Sequence, residues 1–164
     1  MNTTLDVFTD GQYDVNRLKE IYKINQDNVP DVGTLDSISK LKELISISSY
    51  HSILLLDNNV IGFSICFREG TSYWSENYKY FTTHLKKFLY VDRIAIDQNY
   101  RRQGLGQKVY KDIFLNAEQE NLTITAEVNT KPINQPSLNF HTNMGFKQIG
   151  KREFTDHNVA YFIK

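Results

Sequence analysis

Residues Arg101-Arg102-Gln103-Gly104-Leu105-Gly106 set two guanidinium groups beside two glycines, after the apolar run Ile94-Ala95-Ile96 and before a helical pattern. A strand that turns at glycines into a helix is a place to hold an anion. The first amides of a helix have no partner within it, and the helix dipole adds partial positive charge there. Gly104 and Gly106 remove side chains where a pyrophosphate must approach the backbone, and Arg101 and Arg102 add charge beside it. A G-x-G turn alone also ends strands for steric reasons. No Lys-Ser/Thr pair follows this one, which argues against an ATP-binding loop. No third glycine stands in register for a dinucleotide fold.

Other chemistry-bearing side chains are spread along the chain. Asn134, Ser137 and His141 stand at i, i+3 and i+7, so one face of a short helix can present all three. Asp92 lies in an apolar strand where strict alternation puts Tyr90, Ile94 and Ile96 on its face. Its alternative reading is a salt bridge. Glu127 sits on another strand, where pairing with Arg93 or Arg68 is the structural alternative, and Asn129 ends that strand as substrate contact or turn-maker. Cys66, the single cysteine, reads as a buried hydrophobe and excludes an intramolecular disulfide. No His/Cys/carboxylate cluster has metal-ligand spacing, so no metal is expected.

The elements that must position these residues follow from periodicity. Asp14 to Gln26 reads as a helix with Asp14 as its N-cap and Val15, Leu18 and Tyr22 on one stripe, and Leu35, Ile38, Leu41 and Ile45 keep helical spacing in a second. Ser52 to Leu56 and Val60 to Phe67 read as a hairpin about the polar turn Asp57-Asn58-Asn59. Glu69 to Lys87 is dense in aromatics, including Tyr73 and Trp74, with Tyr78, Phe81 and Leu85 on one face of a short helix. Phe88 to Ile96 is a long strand. After the glycine turn, Leu105, Val109, Ile113 and Ala117 mark a helix, and Leu122 to Val128 another strand. A helix from Pro136 to Met144 precedes Gly145, and two strands, Phe146 to Phe154 and Asn158 to Ile163, complete a mixed α/β layer protein.

The bulk numbers agree with a folded single domain. The chain has 164 residues, 40% hydrophobic and 13% aromatic, with no repeat or linker that would divide it. Lys+Arg and Asp+Glu both number 19, so no global field draws the chain to nucleic acid or an anionic membrane. The N-terminus lacks the basic-then-apolar pattern of a signal peptide, and no apolar run approaches the ~20 residues of a membrane helix. A cytoplasmic location is expected.

Ile94 to Gly106 closely resembles the coenzyme motif of the GNAT superfamily of N-acetyltransferases: a hydrophobic strand, a short turn, then Arg/Gln-x-x-Gly-x-Gly/Ala opening a long helix. Asn134-Gln135-Pro136-Ser137-Leu138-Asn139-Phe140-His141-Thr142-Asn143-Met144-Gly145-Phe146 resembles the family's second segment, Asn-x-x-Ser/Ala-x-x-Phe-Tyr-x-x-x-Gly-Phe. Order and separation fit, and the resemblance spans nearly the whole chain. Phe88 to Arg93, Glu127 to Asn129 and Phe140-His141 look like a bacterial subgroup of the family.

The resemblance implies one domain over residues 1–164, of α/β (α+β) class. Its sheet would be mixed and mostly antiparallel, with splayed central strands flanked by helices. It implies acetyl-CoA as co-substrate, with direct transfer to a primary amine on a small molecule or peptide, no metal, and no nucleic-acid or membrane partner. The backbone of Ile94, Ala95 and Ile96 would pair with the pantetheine arm. Amides from Arg102 through Gln103, Gly104, Leu105 and Gly106 to Gln107 would hold the pyrophosphate beside Arg101. Asn134 would bond the pantetheine, with Ser137 on the same face. Asp92 is the first candidate base and Glu127 the rival, since a free alkyl amine titrates near ~10.4 and must lose a proton. His141 stands where the family has the tyrosine that protonates the departing thiolate; it either supplies that proton or only positions the sulfur. Tyr73 and Trp74 would line the acceptor pocket, or their segment would cover the sheet or a homodimer interface. A non-catalytic acyl-CoA-binding module is the alternative function.

Overall fold

The computed structural model describes residues 3–7 and 14–164; Met1 and Asn2, where the reading of the N-terminus begins, lie outside them. Helix α1 (Val15–Asp27) starts where the Asp14 carboxylate accepts the Arg17 amide at 2.7 Å, and it buries Leu18, Ile21 and Ile24. Ser37 caps α2 (Ile38–Ile47) in the same way. Strands β2 (Tyr50–Leu56) and β3 (Asn59–Arg68) form the expected hairpin. Its two turn residues, Asp57 and Asn58, have φ of 48° and 66°, the left-handed pair that matches strand twist.

The aromatic segment yields α3 (Glu76–His84), capped by Ser75, with Tyr78 and Phe81 in the core. Strand β4 (Phe88–Ile96) leads through one 3-10 turn to α4 (Leu105–Glu120), which buries Leu105, Val109, Tyr110, Ile113 and Ala117. After β5 (Thr123–Lys131) come α5 (Gln135–Asn143) and the hairpin of β6 (Lys147–Glu153) and β7 (Asn158–Ile163). An additional strand, β1 (Thr3–Val7), pairs with β2; its Thr-Thr-Leu-Asp-Val sequence is too short and polar to announce itself.

The strands make one seven-stranded sheet in the order β1-β2-β3-β4-β5-β7-β6. Every neighbouring pair is antiparallel except β4 and β5. One face packs on α1, α2 and α3 through residues such as Ile21, Leu41, Phe63 and Phe81. The other packs on α4 and α5 through Leu89, Val109, Ile113 and Phe162.

Two irregularities shape the centre of the sheet. Strands β4 and β5 pair only at Phe88/Thr123, Leu89/Ile124 and Tyr90/Thr125, and then part, so Val91 to Ile96 bond to β3 alone. The expected splay is present. The second irregularity corrects an expectation. Ile65 pairs with Arg93 and Cys66 with Val91, which makes Asp92 the extra residue of a β-bulge. Alternation resets there, so Tyr90 packs on the α1–α3 side while Ile94 and Ile96 pack on the α4–α5 side. Asp92 therefore does not share one face with all three.

Candidate active site

The turn before α4 has the geometry of an anion site. Arg102 and Gly104 have φ of 61° and 74°, and Gly104 occupies the N-cap with no side chain bonding the first amides. Helices α1, α2, α3 and α5 are each capped by a side-chain oxygen. A Cβ at Gly104 would meet no atom within 4 Å, so the approach to these amides is open. Arg102 and Gln103 are exposed, whereas Leu105 is buried in the core. Arg101 turns back, and its guanidinium donates to the Asn28 side chain, which ties the turn to the end of α1. Gly106 lies against Phe140, 3.5 Å from where its Cβ would be, so it also serves the packing of α4 on α5. Gln107 follows in the first turn of the helix.

The second motif is folded into local bonds. Asn134 caps α5 by accepting the Ser137 amide at 3.1 Å. The His141 imidazole is buried among Tyr110, Phe146 and Phe162. Its Nδ1 lies 2.8 Å from the Ser137 carbonyl oxygen, which can only accept, so Nδ1 carries the hydrogen. Nε2 then accepts from the Tyr110 hydroxyl at 2.7 Å. Burial pushes the histidine pKa down, in keeping with this neutral form.

On the other side of the sheet, a cavity of about 530 Å³ opens beside the parting of β4 and β5. Its walls are residues 29–34 after α1, residues 73–77 leading into α3, and residues 154–157 between β6 and β7. Asp92, Arg93 and Glu127 are also among its lining residues, with Asn129 and Pro132 from the far strand. The cavity thus gathers Asp92, Glu127, Tyr73, Trp74 and Asn129. It does not gather Asn134, Ser137 or His141.

The two carboxylates differ in their surroundings. Asp92 accepts from the Tyr73 hydroxyl at 2.8 Å and from Arg93 Nε at 3.1 Å. Burial raises its pKa while Arg93 and Tyr73 pull it back. Glu127 Oε1 accepts from the Tyr90 hydroxyl at 2.8 Å and from Asn77 at 3.3 Å, and Asn77 in turn accepts from the Tyr161 hydroxyl. Its Oε2 is buried without a hydrogen-bond partner. No guanidinium pairs with it: Arg93 bonds Asp92, and Arg68 bonds Glu69 and Glu120. Burial, and after it the charge of Asp92, push the Glu127 pKa up to about 8. A carboxyl group held near neutrality beside a cavity is suited to taking a proton.

Arg93, expected as a partner for Glu127, pairs with Asp92 instead and does more than the sequence suggested. Its side chain is 7% exposed and donates to Asn25 Oδ1 at 2.8 Å and to the Gly33 carbonyl, as well as to Asp92. Asn25 bonds the same Gly33 carbonyl at 3.1 Å. One guanidinium thereby ties the bulge of β4 to the loop that walls the cavity. Arg93→Met should cost about 3–5 kcal/mol in urea unfolding, because it leaves Asp92 buried without its cation. A cost below about 1 kcal/mol would show that the loop holds itself. The wall at 154–157 and the Asn77–Tyr161 bond were likewise invisible before the fold, since no local pattern marks them.

Among the described residues, no group of three or more His, Cys, Asp or Glu side chains could hold a metal ion. None of the described helices is long and apolar enough to cross a membrane. Residues 18–146 match the family model described as the acetyltransferase (GNAT) family. No curated protein sequence matches the chain. Among solved structures, it is similar to a chain of the NatC complex bound to Gag peptide and CoA, at 15% identity and TM-score 0.74, covering 99% of this chain and 98% of that one. The ribosomal-protein-S18-alanine N-acetyltransferase of Escherichia coli superposes with TM-score 0.69 at 16% identity, covering 99% and 92%. Arabidopsis thaliana NAA60 in complex with acetyl-CoA gives TM-score 0.75 at 9% identity, covering 99% and 98%.

Proposed function

The chain belongs to the GNAT acetyltransferase family and is an acetyl-CoA-dependent N-acetyltransferase; we propose that its acceptor is a primary amine entering the cavity lined by Asp92 and Glu127. The observation that carries this reading is Glu127 itself, a half-buried carboxyl group on the cavity lining, with its pKa pushed up, where β4 and β5 part. Acetyl-CoA supplies the thioester. The uncapped amides of α4, with Arg102 beside them, suit its pyrophosphate, and the unpaired side of β4 from Val91 to Ile96 suits the pantetheine arm. Glu127, on the cavity lining, takes the proton of the incoming ammonium. Tyr90 and Asn77 hold its Oε1 and so fix the orientation of the carboxyl group. Asp92, held by Arg93 and Tyr73, adds its charge to the burial that keeps the Glu127 pKa high, and orients Tyr73 on the wall.

Both small amines and peptide N-termini are acceptors of the required chemistry; the Escherichia coli neighbour, named for an alanine of a ribosomal protein, supports including the latter. A cytoplasmic setting fits this reading, because the free, buried Cys66 needs no oxidising compartment. The experiment is a thiol-release assay with acetyl-CoA and pooled amines, run beside thermal melts. Acetyl-CoA should raise the melting temperature, a ligand at a hundredfold excess over Kd being worth about 2.7 kcal/mol. Release should appear with at least one primary amine and with no tertiary amine. Stabilisation without release from any amine would overturn the proposed transfer.

His141 we assign to positioning, because both ring nitrogens already have partners. His141→Phe should destabilise the protein by about 1–3 kcal/mol, by stranding the Tyr110 hydroxyl in the core, and leave kcat within about threefold. A hundredfold fall in kcat at unchanged stability would restore the imidazole as the acid for the thiolate.

A further inference from the structure

The acceptor cavity concentrates negative charge in a chain that has none overall. The chain's 19 Lys+Arg balance its 19 Asp+Glu. The cavity, however, is lined by Asp31, Glu76, Asp92, Glu127 and Asp156, against Arg93 as the one Lys or Arg. Two of the five carboxylates are neutralised. Asp92 pairs with Arg93, and Glu76 pairs with Lys79 at 2.9 Å and Arg152 at 3.4 Å. Glu127, half-buried, holds its proton near neutrality because burial and then the charge of Asp92 push its pKa up to about 8, so the free negative charge is that of Asp31 and Asp156, exposed on two different walls. Asp156 has His157 beside it at 2.7 Å but no Lys or Arg partner.

A second feature points the same way. Trp74, on the wall leading into α3, is 65% exposed, with its ring centroid 5.7 Å from that of Tyr73. A large aromatic face left open on a cavity is a platform for a cation, worth about 0.5–1 kcal/mol when solvent-exposed. Glu127 on the lining is a place for the reacting nitrogen, and the exposed Asp31, Asp156 and Trp74 offer a place for another positive group.

Resting on the acetyl-transfer reading above, we propose that the acceptor is an amine carrying a second positive charge away from the reacting nitrogen, with the reacting ammonium at Glu127 and the second cation among Asp31, Asp156 and Trp74. Uncharged and acidic tails are disfavoured by the same walls. The required chemistry is met by a small aliphatic polyamine or by a peptide N-terminus followed by a basic side chain.

The test uses matched acceptors with saturating acetyl-CoA: n-butylamine against 1,4-diaminobutane and spermidine, and Ala-Lys against Ala-Glu N-terminal peptides. The dicationic member of a pair should have a kcat/KM roughly tenfold higher, as expected from one or two exposed charge contacts. The gap should narrow in 0.5 M salt as screening shortens to a few ångströms, on the order of one contact. In Asp31→Asn/Asp156→Asn, the ratio of dicationic to monocationic kcat/KM should fall toward one. Preference among the small amines or among the peptides identifies which source is used. Equal kcat/KM within both pairs, or a ratio untouched by the double variant, overturns the proposal. If no amine is turned over, the transfer reading fails. Calorimetric Kd values for diamine and monoamine in the presence of CoA then decide the charge preference alone: equal values overturn it, a tighter diamine supports it.

Discussion

In Glu127→Gln, kcat should fall by about 10²–10⁴-fold, the usual contribution of positioned proton transfer, while the protein becomes more stable at high pH. Both effects come from the same carboxyl group. Its folded pKa, about 8, lies above the ordinary value of 4.5. The native state therefore binds this proton more tightly than the unfolded chain does. The stabilisation is complete below the ordinary value and is lost as pH rises through about 8. Glutamine cannot ionise, so melts of variant and parent should agree below about pH 4.5, separate in the variant's favour as pH rises, and differ most, by a constant amount, above about pH 8. The groups facing Glu127 are Asp92, Tyr90, Asn77, Tyr161 and Tyr73, with Arg93 behind Asp92. Tyr90 and Tyr73 are pushed well above the usual phenol range by burial, so they hold their protons throughout. The parent's kcat/KM should thus show an ascending limb near pH 8 that the variant lacks. Retained activity in Glu127→Gln beside a large loss in Asp92→Asn would move the base to Asp92.

Gly104→Asp should remove acetyl-CoA binding, with Kd rising at least about a hundredfold. The position has φ of 74°, so any L-residue there costs roughly 1–2 kcal/mol of backbone strain. Gly104→Ala carries the same strain without a charge and separates stability from recognition. Nothing in the protein blocks a Cβ at this site, so both variants should fold. Only the aspartate sets a negative charge before the α4 amides that the pyrophosphate would use, and only it should abolish the acetyl-CoA melting shift. A normal shift in a folded Gly104→Asp protein would remove the coenzyme from this turn.

Most elements were legible because their signals are local. The stripe of Leu105, Val109, Ile113 and Ala117, the cap at Asp14 and the Asp57-Asn58 turn each act within a few residues, and each appears where expected. What stayed hidden depends on distant partners. Strict alternation gave Asp92 a face that the bulge opposite Ile65 and Cys66 takes away, because no pattern within β4 records where β3 slips by a residue. Arg93 was read as a partner for Glu127, whereas α1 and the loop after it bring Asn25 and Gly33 to it. His141 held the expected helical spacing, yet only the packing of α4 on α5 put Tyr110 against its free nitrogen. The 154–157 wall of the cavity comes from a hairpin turn whose sequence carries no sign of what it faces.

The parting of β4 and β5 has a mechanical side. The β1–β4 strands and the β5–β7–β6 strands are joined within the sheet by a seam of three residue pairs at one end, like two blades on a short rivet. Beyond the seam, alternate amides from Val91 to Ile96 face no strand and should exchange with deuterated solvent faster than their neighbours bonded to β3. A ligand arm laid along β4 would shield the same amides. The exchange rate of this half-strand is therefore a built-in gauge of occupancy, readable without an acceptor and without turnover.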